Sequence, residues 1–177
     1  PHQHDGISSI TVVNNSLDEA GAALCSKYPA VNILTPGKNL GFGGGCNYGA
    51  QIGFSPFILF LNPDIYFPSG ALQKLSEELH RPGLLREIGI IGVQLLNPDG
   101  SIQKNIARFP QFWALFPRMI GLDRLFQGVF PPHYQKDLDY SIPQIVDQVP
   151  GAFFLVRRNA FDILKGFDED FFMYYED

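Results

Sequence analysis

The chain is poor in several things that would have settled its class at once. It has two cysteines in 177 residues, Cys25 and Cys46, too few for a disulfide scaffold and suited to a reducing compartment. No run of 18 or more apolar residues occurs, so no membrane span is read from it. The opening PHQHDG is polar and lacks the apolar stretch of a secretory signal. His2 and His4 could ligate a metal, but no other histidine lies near them in sequence, and a leader is the preferred reading. Positive charge is short as well. Thirteen Lys and Arg face 18 Asp and Glu, giving a net charge of -5 and a pI of 5.3. A general nucleic-acid binder wants a basic face, so nucleic acid is not expected as a partner. The phosphate loop G-x-x-x-x-G-K-S/T is missing, as are internal repeats and low-complexity linkers.

What the chain does have is apolar mass. Apolar residues make up 45% and aromatics 14% of it, enough for a folded globular protein. The length suits a single domain over 1–177, with residues 1–6 as the leader. Strand-like and helix-like segments alternate. Residues 7–13 are β-branched, and Ser16-Leu-Asp-Glu19 has the capping-box form of a helix start. Further strands are predicted at 31–34 and 57–61, with a helix around 47–52. The solid apolar run 57–61 reads as a central strand buried on both faces of a parallel sheet. Ser69 is placed as the cap of a helix running to His80. Residues 88–96 and 148–156 read as strands, 111–126 as a helix, and Asn159 as the cap of a short helix stopping at Gly166. The alternation predicts an α/β layer architecture, a mostly parallel central sheet flanked by helices.

Two segments share a tripeptide, FILFLNPDIYF and GVQLLNPDGSI. In Asn97-Pro98-Asp99-Gly100 the proline holds the second turn position and the glycine the fourth, as a type I turn prefers. Asp99 is therefore expected to shape a turn. Asn62-Pro63-Asp64 has no glycine after it and sits at the carboxyl end of a strand, where open α/β sheets collect ligands. A carboxylate there can hold a hard divalent cation or merely cap a loop, and the triplet alone weighs both equally.

Three other segments bear on the choice. Residues 38–49 pack five glycines and two asparagines into twelve positions. Glycines let a backbone approach a ligand, and a helix N-terminus offers N–H groups to an anion. The match to the dinucleotide fingerprint is poor, because Cys46 stands where a final small glycine belongs. Residues 149–158 form an apolar strand that opens with small residues and ends in Arg157-Arg158. Residues 166–177 set five carboxylates among aromatics, so some of these acids are expected against apolar surface, where a raised pKa suits a base.

The stretches VVNNS (12–16), NLGFGGGCNYG (39–49), FLNPD (60–64), DGSIQ followed by RFP (99–110) and GAFFLVRRNAFDILKGFDEDFFMYYED (151–177) together resemble the family-2 glycosyltransferases of the GT-A fold, within them the rhamnosyltransferase-like group. The resemblance covers most of the chain in the family's order, and the last block is its most specific part. It implies a nucleotide-diphospho-sugar transferase fold, with the first strand and the C-terminal helices outside this chain, which then reads as the core fragment of a longer enzyme. It further implies inverting transfer of a hexose, such as rhamnose, from a nucleotide-diphospho-sugar donor to a glycan or lipid-linked acceptor in polysaccharide synthesis. NPD takes the place of the usual DxD, so Asp64 would hold Mg²⁺ or Mn²⁺ against the diphosphate. Asp177 matches the general base, with Glu176 beside it. On the donor side stand Asn14, Asn15, Asn39, Gly41, Phe42, Asn47 and Asn62, and on the acceptor side Gly151 and Ala152. The family has aspartate at the base-reading position occupied by Asn14, whose amide can still accept and donate to a pyrimidine.

The segment 111–126, rich in Phe, Trp and Arg, could lie on a membrane, although packing on the sheet is the commoner fate of such a helix. The expected location is cytoplasmic, with peripheral contact at the inner membrane face. Two other classes compete. A sugar nucleotidyltransferase should carry a basic loop, whereas 38–49 has Lys38 alone. A non-catalytic nucleotide-sugar or carbohydrate-binding domain would tolerate loss of Asp64 and Asp177.

Overall fold

Among the described residues eight short elements are formed, and an aromatic core joins several of them. The computed structural model describes residues 6–16, 27–80, 88–109, 116, 121, 134–135 and 137–172. The predicted capping box at 16–19, the helix at 111–126, the histidines of the leader and the terminal pair Glu176-Asp177 lie wholly or mainly outside these residues. The elements are β1 (Ile10–Val13), β2 (Val31–Leu34), α1 (Gly41–Ala50), β3 (Phe57–Leu61), α2 (Ala71–Leu79), β4 (Ile90–Ile91), β5 (Phe153–Arg157) and α3 (Arg158–Leu164).

Strands β1 and β2 pair in parallel, from Ile10 opposite Val31 to Val13 opposite Leu34. The other ladder has the order β3-β5-β4, with β5 antiparallel to both neighbours. Thus β3 and β4 run parallel to each other across α2, as the alternation predicts, and β5 is inserted between them in the opposite sense. Because β5 is antiparallel to β3, with Leu61 opposite Phe153, β5 starts at the carboxyl end of β3. This differs from the expected placement of 57–61. Phe60 is buried, but Leu61 is exposed, and β3 flanks the ladder while β5 fills its middle. All of Phe153–Val156 is buried accordingly.

Helix α2 has its half-buried positions at 71, 72, 75, 76 and 79, one face of a 3.6-residue period. Its cap is Gly70 in the left-handed region, with no side-chain bond, so Ser69 does not serve as predicted. The core joins Ala50, Phe60, Phe154, Val156, Phe161 and Phe167, with Cys46, Ile58, Val149 and Ala160 packed against it. Phe60 lies 5.0 Å from Phe167 and 5.3 Å from Phe161, centroid to centroid, within the range of favourable ring pairs. Each buried phenylalanine contributes about 1.5–3 kcal/mol of transfer free energy.

Helix α1 differs most from expectation. The glycine run predicted as a ligand loop ahead of a helix is itself the helix. Glycine costs about 1 kcal/mol per position relative to alanine in a helix interior, so tertiary contact must decide the matter. A Cβ on Gly45 would stand 2.8 Å from Asn15 Nδ2, and one on Gly49 2.9 Å from Val13 Cγ2. The bare backbone of α1 therefore lies directly on β1. At the far end, Arg158 Nη1 donates to Ala50 O at 3.1 Å and Nε to Ser55 O at 2.9 Å. A guanidinium thus satisfies a carbonyl that the last turn leaves open.

Candidate active site

The two NPD triplets part company in the structure. Around Asp99 the chain makes a hairpin turn: Gly100 N donates to Asn97 O at 2.9 Å and Asn97 N to Ser101 O at 2.8 Å. Gly100 takes φ of 83°, and Leu96 bridges Ile102 in antiparallel fashion. The Asp99 carboxylate accepts from Ser101 Oγ at 2.6 Å and from Ser101 N at 2.9 Å. These donors stabilise the charged form and hold its pKa below the ordinary 3.8. Asp99 is a turn residue, as expected.

Asp64 is placed otherwise. Ile65 N donates to Asn62 O at 3.3 Å, closing a turn at the carboxyl end of β3, and Asn62 N donates to Ala152 O at 3.1 Å. Asp64 is exposed, and among the described residues no hydrogen bond or ion pair engages its carboxylate. The antiparallel register sets Leu61 opposite Phe153, so the triplet stands beside Gly151-Ala152. The structure therefore brings the predicted metal residue and the predicted acceptor pair together.

A second grouping forms at the carboxyl end of β1. Asn14 N donates to Leu34 O at 2.8 Å, extending the parallel ladder. The Asn14 side-chain oxygen accepts from Ser16 Oγ at 2.7 Å and Ser16 N at 3.1 Å. Asn15 ties down the loop ahead of α1, donating to Gly41 O at 2.7 Å and accepting from Leu40 N at 3.4 Å. Asn39 Oδ1 accepts from Gly41 N at 2.9 Å, which satisfies an otherwise open donor at the helix start. Asn15 and Asn39 are thus bonded to the chain's own backbone.

The third grouping joins α1 to the turn after α3. Asn47 Nδ2 donates to Phe167 O and to Glu169 Oε1, both at 2.9 Å, and Asn47 Oδ1 accepts from Phe167 N at 2.8 Å. Phe42 N donates to Phe172 O at 3.2 Å, so one N–H of the α1 N-terminus meets a carbonyl instead of an anion. The space left by Gly41 is taken in the same way, since a Cβ there would overlap Phe172 O and lie 3.0 Å from Phe172 Cδ2. Asp168, Glu169 and Asp170 are exposed. These three acids therefore do not lie against apolar surface as expected, and the remaining two, Glu176 and Asp177, fall outside the described residues. The aromatics of this segment divide, with Phe167 in the core and Phe171 and Phe172 exposed. Sequence reasoning missed Glu169 as a partner of α1 and Arg158 as its C-terminal cap. Asparagine within a glycine-rich helix and glycine before Phe167 were the available signals.

Comparison with known proteins identifies the family. The glycosyl transferase family 2 profile matches residues 3–164, and the chain belongs to that family, whose architecture is the α/β GT-A fold. It is 28% identical over 188 residues to an N-acetylglucosaminyl-diphospho-decaprenol L-rhamnosyltransferase of Mycobacterium tuberculosis, covering 97% of this chain and 58% of that one. It is 27% identical over 176 residues to a low-salt glycan biosynthesis hexosyltransferase of Haloferax volcanii, covering 97% of this chain and 52% of that one. The chain thus spans a little over half the length of these relatives.

Proposed function

We propose that the protein transfers a hexose, with rhamnose the first candidate, from a nucleotide-diphospho-sugar to a hydroxyl of a glycan or lipid-linked acceptor, inverting the anomeric centre. The family membership supports the reaction class, and the names of the two relatives support the sugar and the acceptor class. The carrying observation is Asp64, an exposed carboxylate without a protein partner among the described residues, at a strand's carboxyl end beside Gly151-Ala152. Its twin Asp99 is occupied by Ser101.

Asp64 would hold Mg²⁺ or Mn²⁺. Among the described residues no three His, Cys, Asp or Glu side chains converge. That suits a cation that takes most of its ligands from diphosphate and water and only one or two from protein. When bound, it offsets the charge that develops on the departing nucleotide diphosphate. Asn14 presents its amide to the nucleobase, and Asn39 with Asn15 holds the loop that borders the donor. Gly151 and Ala152, next to Asn62 and Asp64, would border the acceptor. Asp177, with Glu176 beside it, takes the acceptor proton. The acceptor oxygen bonds to the anomeric carbon, the bond from that carbon to the diphosphate oxygen breaks, and its electron pair leaves with the nucleotide diphosphate. A single displacement of this kind inverts the centre.

A lipid-linked acceptor would bring the protein to the inner membrane face as a peripheral partner. No helix among the described residues is long and apolar enough to cross a membrane. The test is calorimetric titration of dTDP and UDP, with and without Mg²⁺ or Mn²⁺, into the full-length protein and its Asp64→Asn and Asp99→Asn variants. Asp64→Asn is expected to weaken metal-dependent binding at least about tenfold and to lower transfer by about 10²-fold, with Asp99→Asn close to the parent. If both variants bind metal and nucleotide as the parent does, the metal assignment fails. If no nucleotide binds, a non-catalytic domain becomes the better reading.

A further inference from the structure

Tyr66 stands two positions after Asp64 and is 93% exposed, and among the described residues no hydrogen bond or ring contact engages it. Exposed aromatics are common on protein surfaces, and Phe54 is 96% exposed as well. Place separates the two. Phe54 precedes the amino end of β3, whereas Tyr66 follows its carboxyl end, on the segment that carries the NPD triplet. Burial alternates along that segment, with Asp64 and Tyr66 exposed and Ile65 and Phe67 half-buried. The alternation matches side chains that take turns on the two sides of a chain, the carboxylate and the phenol ring both on the solvent side.

The segment is held from behind. Phe67 sets its ring edge-on to Phe153 at 6.2 Å, centroid to centroid, within the range of favourable ring pairs. Asn62 N donates to Ala152 O at 3.1 Å and Ile65 N to Asn62 O at 3.3 Å. Tyr66 is therefore presented from an anchored backbone, although its own side chain is unpartnered among the described residues. Covalent geometry keeps its Cα within about 7 Å of that of Asp64. The donor hexose has a tether of its own. It is bonded to the diphosphate that the cation on Asp64 holds, and Mg²⁺ lies only about 2.1 Å from its oxygen ligands. The hexose and the Tyr66 ring are thus both confined to the surroundings of the same carboxylate.

We propose that Tyr66 is the platform on which the donor hexose rests, with the face of its ring packed against the C–H groups of one pyranose face. This rests on the glycosyltransferase reading above and on Asp64 as the residue that meets the diphosphate. The face of an aromatic ring carries the negative part of its quadrupole. Sugar C–H groups are electron-poor because of the oxygens beside them, so they meet that face favourably while the sugar hydroxyls stay in water. Stacking of this kind uses the ring and not the phenol hydroxyl, and it asks nothing of the nucleotide. Tyr66 therefore recognises a hexopyranose joined to the diphosphate and adds nothing to the binding of a nucleotide diphosphate alone.

The test is calorimetric titration of dTDP-rhamnose and UDP-glucose beside dTDP and UDP, all with Mg²⁺, into the full-length protein and its Tyr66→Ala, Tyr66→Phe and Phe54→Ala variants. In Tyr66→Ala the sugar nucleotide that the parent prefers is expected to bind about three- to tenfold more weakly, with its nucleotide diphosphate within about twofold of the parent. That second affinity also shows that the variant is folded. Tyr66→Phe keeps the ring and is expected to bind the sugar nucleotide within about twofold of the parent, and Phe54→Ala to match the parent with both ligands. Unchanged sugar-nucleotide affinity in Tyr66→Ala would overturn the proposal. So would an equal loss for the nucleotide diphosphate, an equal loss in Phe54→Ala, or a Tyr66→Phe as weak as Tyr66→Ala. A parent that binds no nucleotide sinks the functional reading and the platform with it, whereas a parent that binds nucleotides beside an unaltered Tyr66→Ala sinks the platform alone.

Discussion

Replacing Gly166 by alanine separates two costs that the structure lets one count independently. The first is conformational: Gly166 lies at φ of 84°, and an L-residue in the left-handed region costs about 1 kcal/mol, partly offset by a stiffer unfolded chain. The second is contact. The new methyl group would overlap Asn47 Oδ1 and approach Phe161 Cζ to 3.2 Å, so Asn47 must swing away from Phe167 and Glu169. Three hydrogen bonds then go, at about 1 kcal/mol or somewhat less each for a part-buried amide. Gly100 is the control, because its φ is 83° while nothing lies within 4 Å of a Cβ there. Gly166→Ala is therefore expected to cost about 3 kcal/mol and Gly100→Ala about 1 kcal/mol or less. Urea denaturation at neutral pH with a shared slope measures both. In Asn47→Ala/Gly166→Ala the overlap is already gone, so the double variant should cost clearly less than the sum of the singles. Equal costs for the two glycine variants, within about 0.5 kcal/mol, would refute this account of Asn47.

Two further outcomes follow from other parts of the structure. Arg158→Met removes the donors to Ala50 O and Ser55 O; unfolding experiments should show a loss of about 1–3 kcal/mol, while metal-dependent nucleotide binding stays at the parent level. Asp99 and Asp139 each accept from a serine two residues on and have lowered pKa values. Their contribution to stability is therefore present above the unfolded value of 3.8 and is lost as pH falls through the lower folded value. The variant Asp99→Asn/Asp139→Asn should lose less stability than the parent on acidification below that value. An acid limb identical to the parent's in a pH series of melting curves would contradict this.

Local chemistry alone determined a good deal. Asn97-Pro98-Asp99-Gly100 forms its turn because proline and glycine carry the required dihedral angles themselves. Strands at 31–34 and 57–61 follow from apolar runs long enough for a strand and too short for most helices. The placement of Asp64 at a strand's carboxyl end was legible for the same reason, as was the alternation of strand and helix that underlies the α/β class. The glycine run was not legible, because glycine's own preference opposes the helix. Only contact with Asn15 and Val13 rewards a backbone without side chains. The side of the ladder was hidden as well. Five consecutive apolar residues describe a strand that is buried somewhere, but whether β3 or β5 fills the middle depends on which strand the returning chain enters beside. The partners of Asn15 and Asn47 lie 26 and 120 positions away. An amide has the same donors and acceptors for a ligand as for a distant backbone, so only the closed chain decides which it meets.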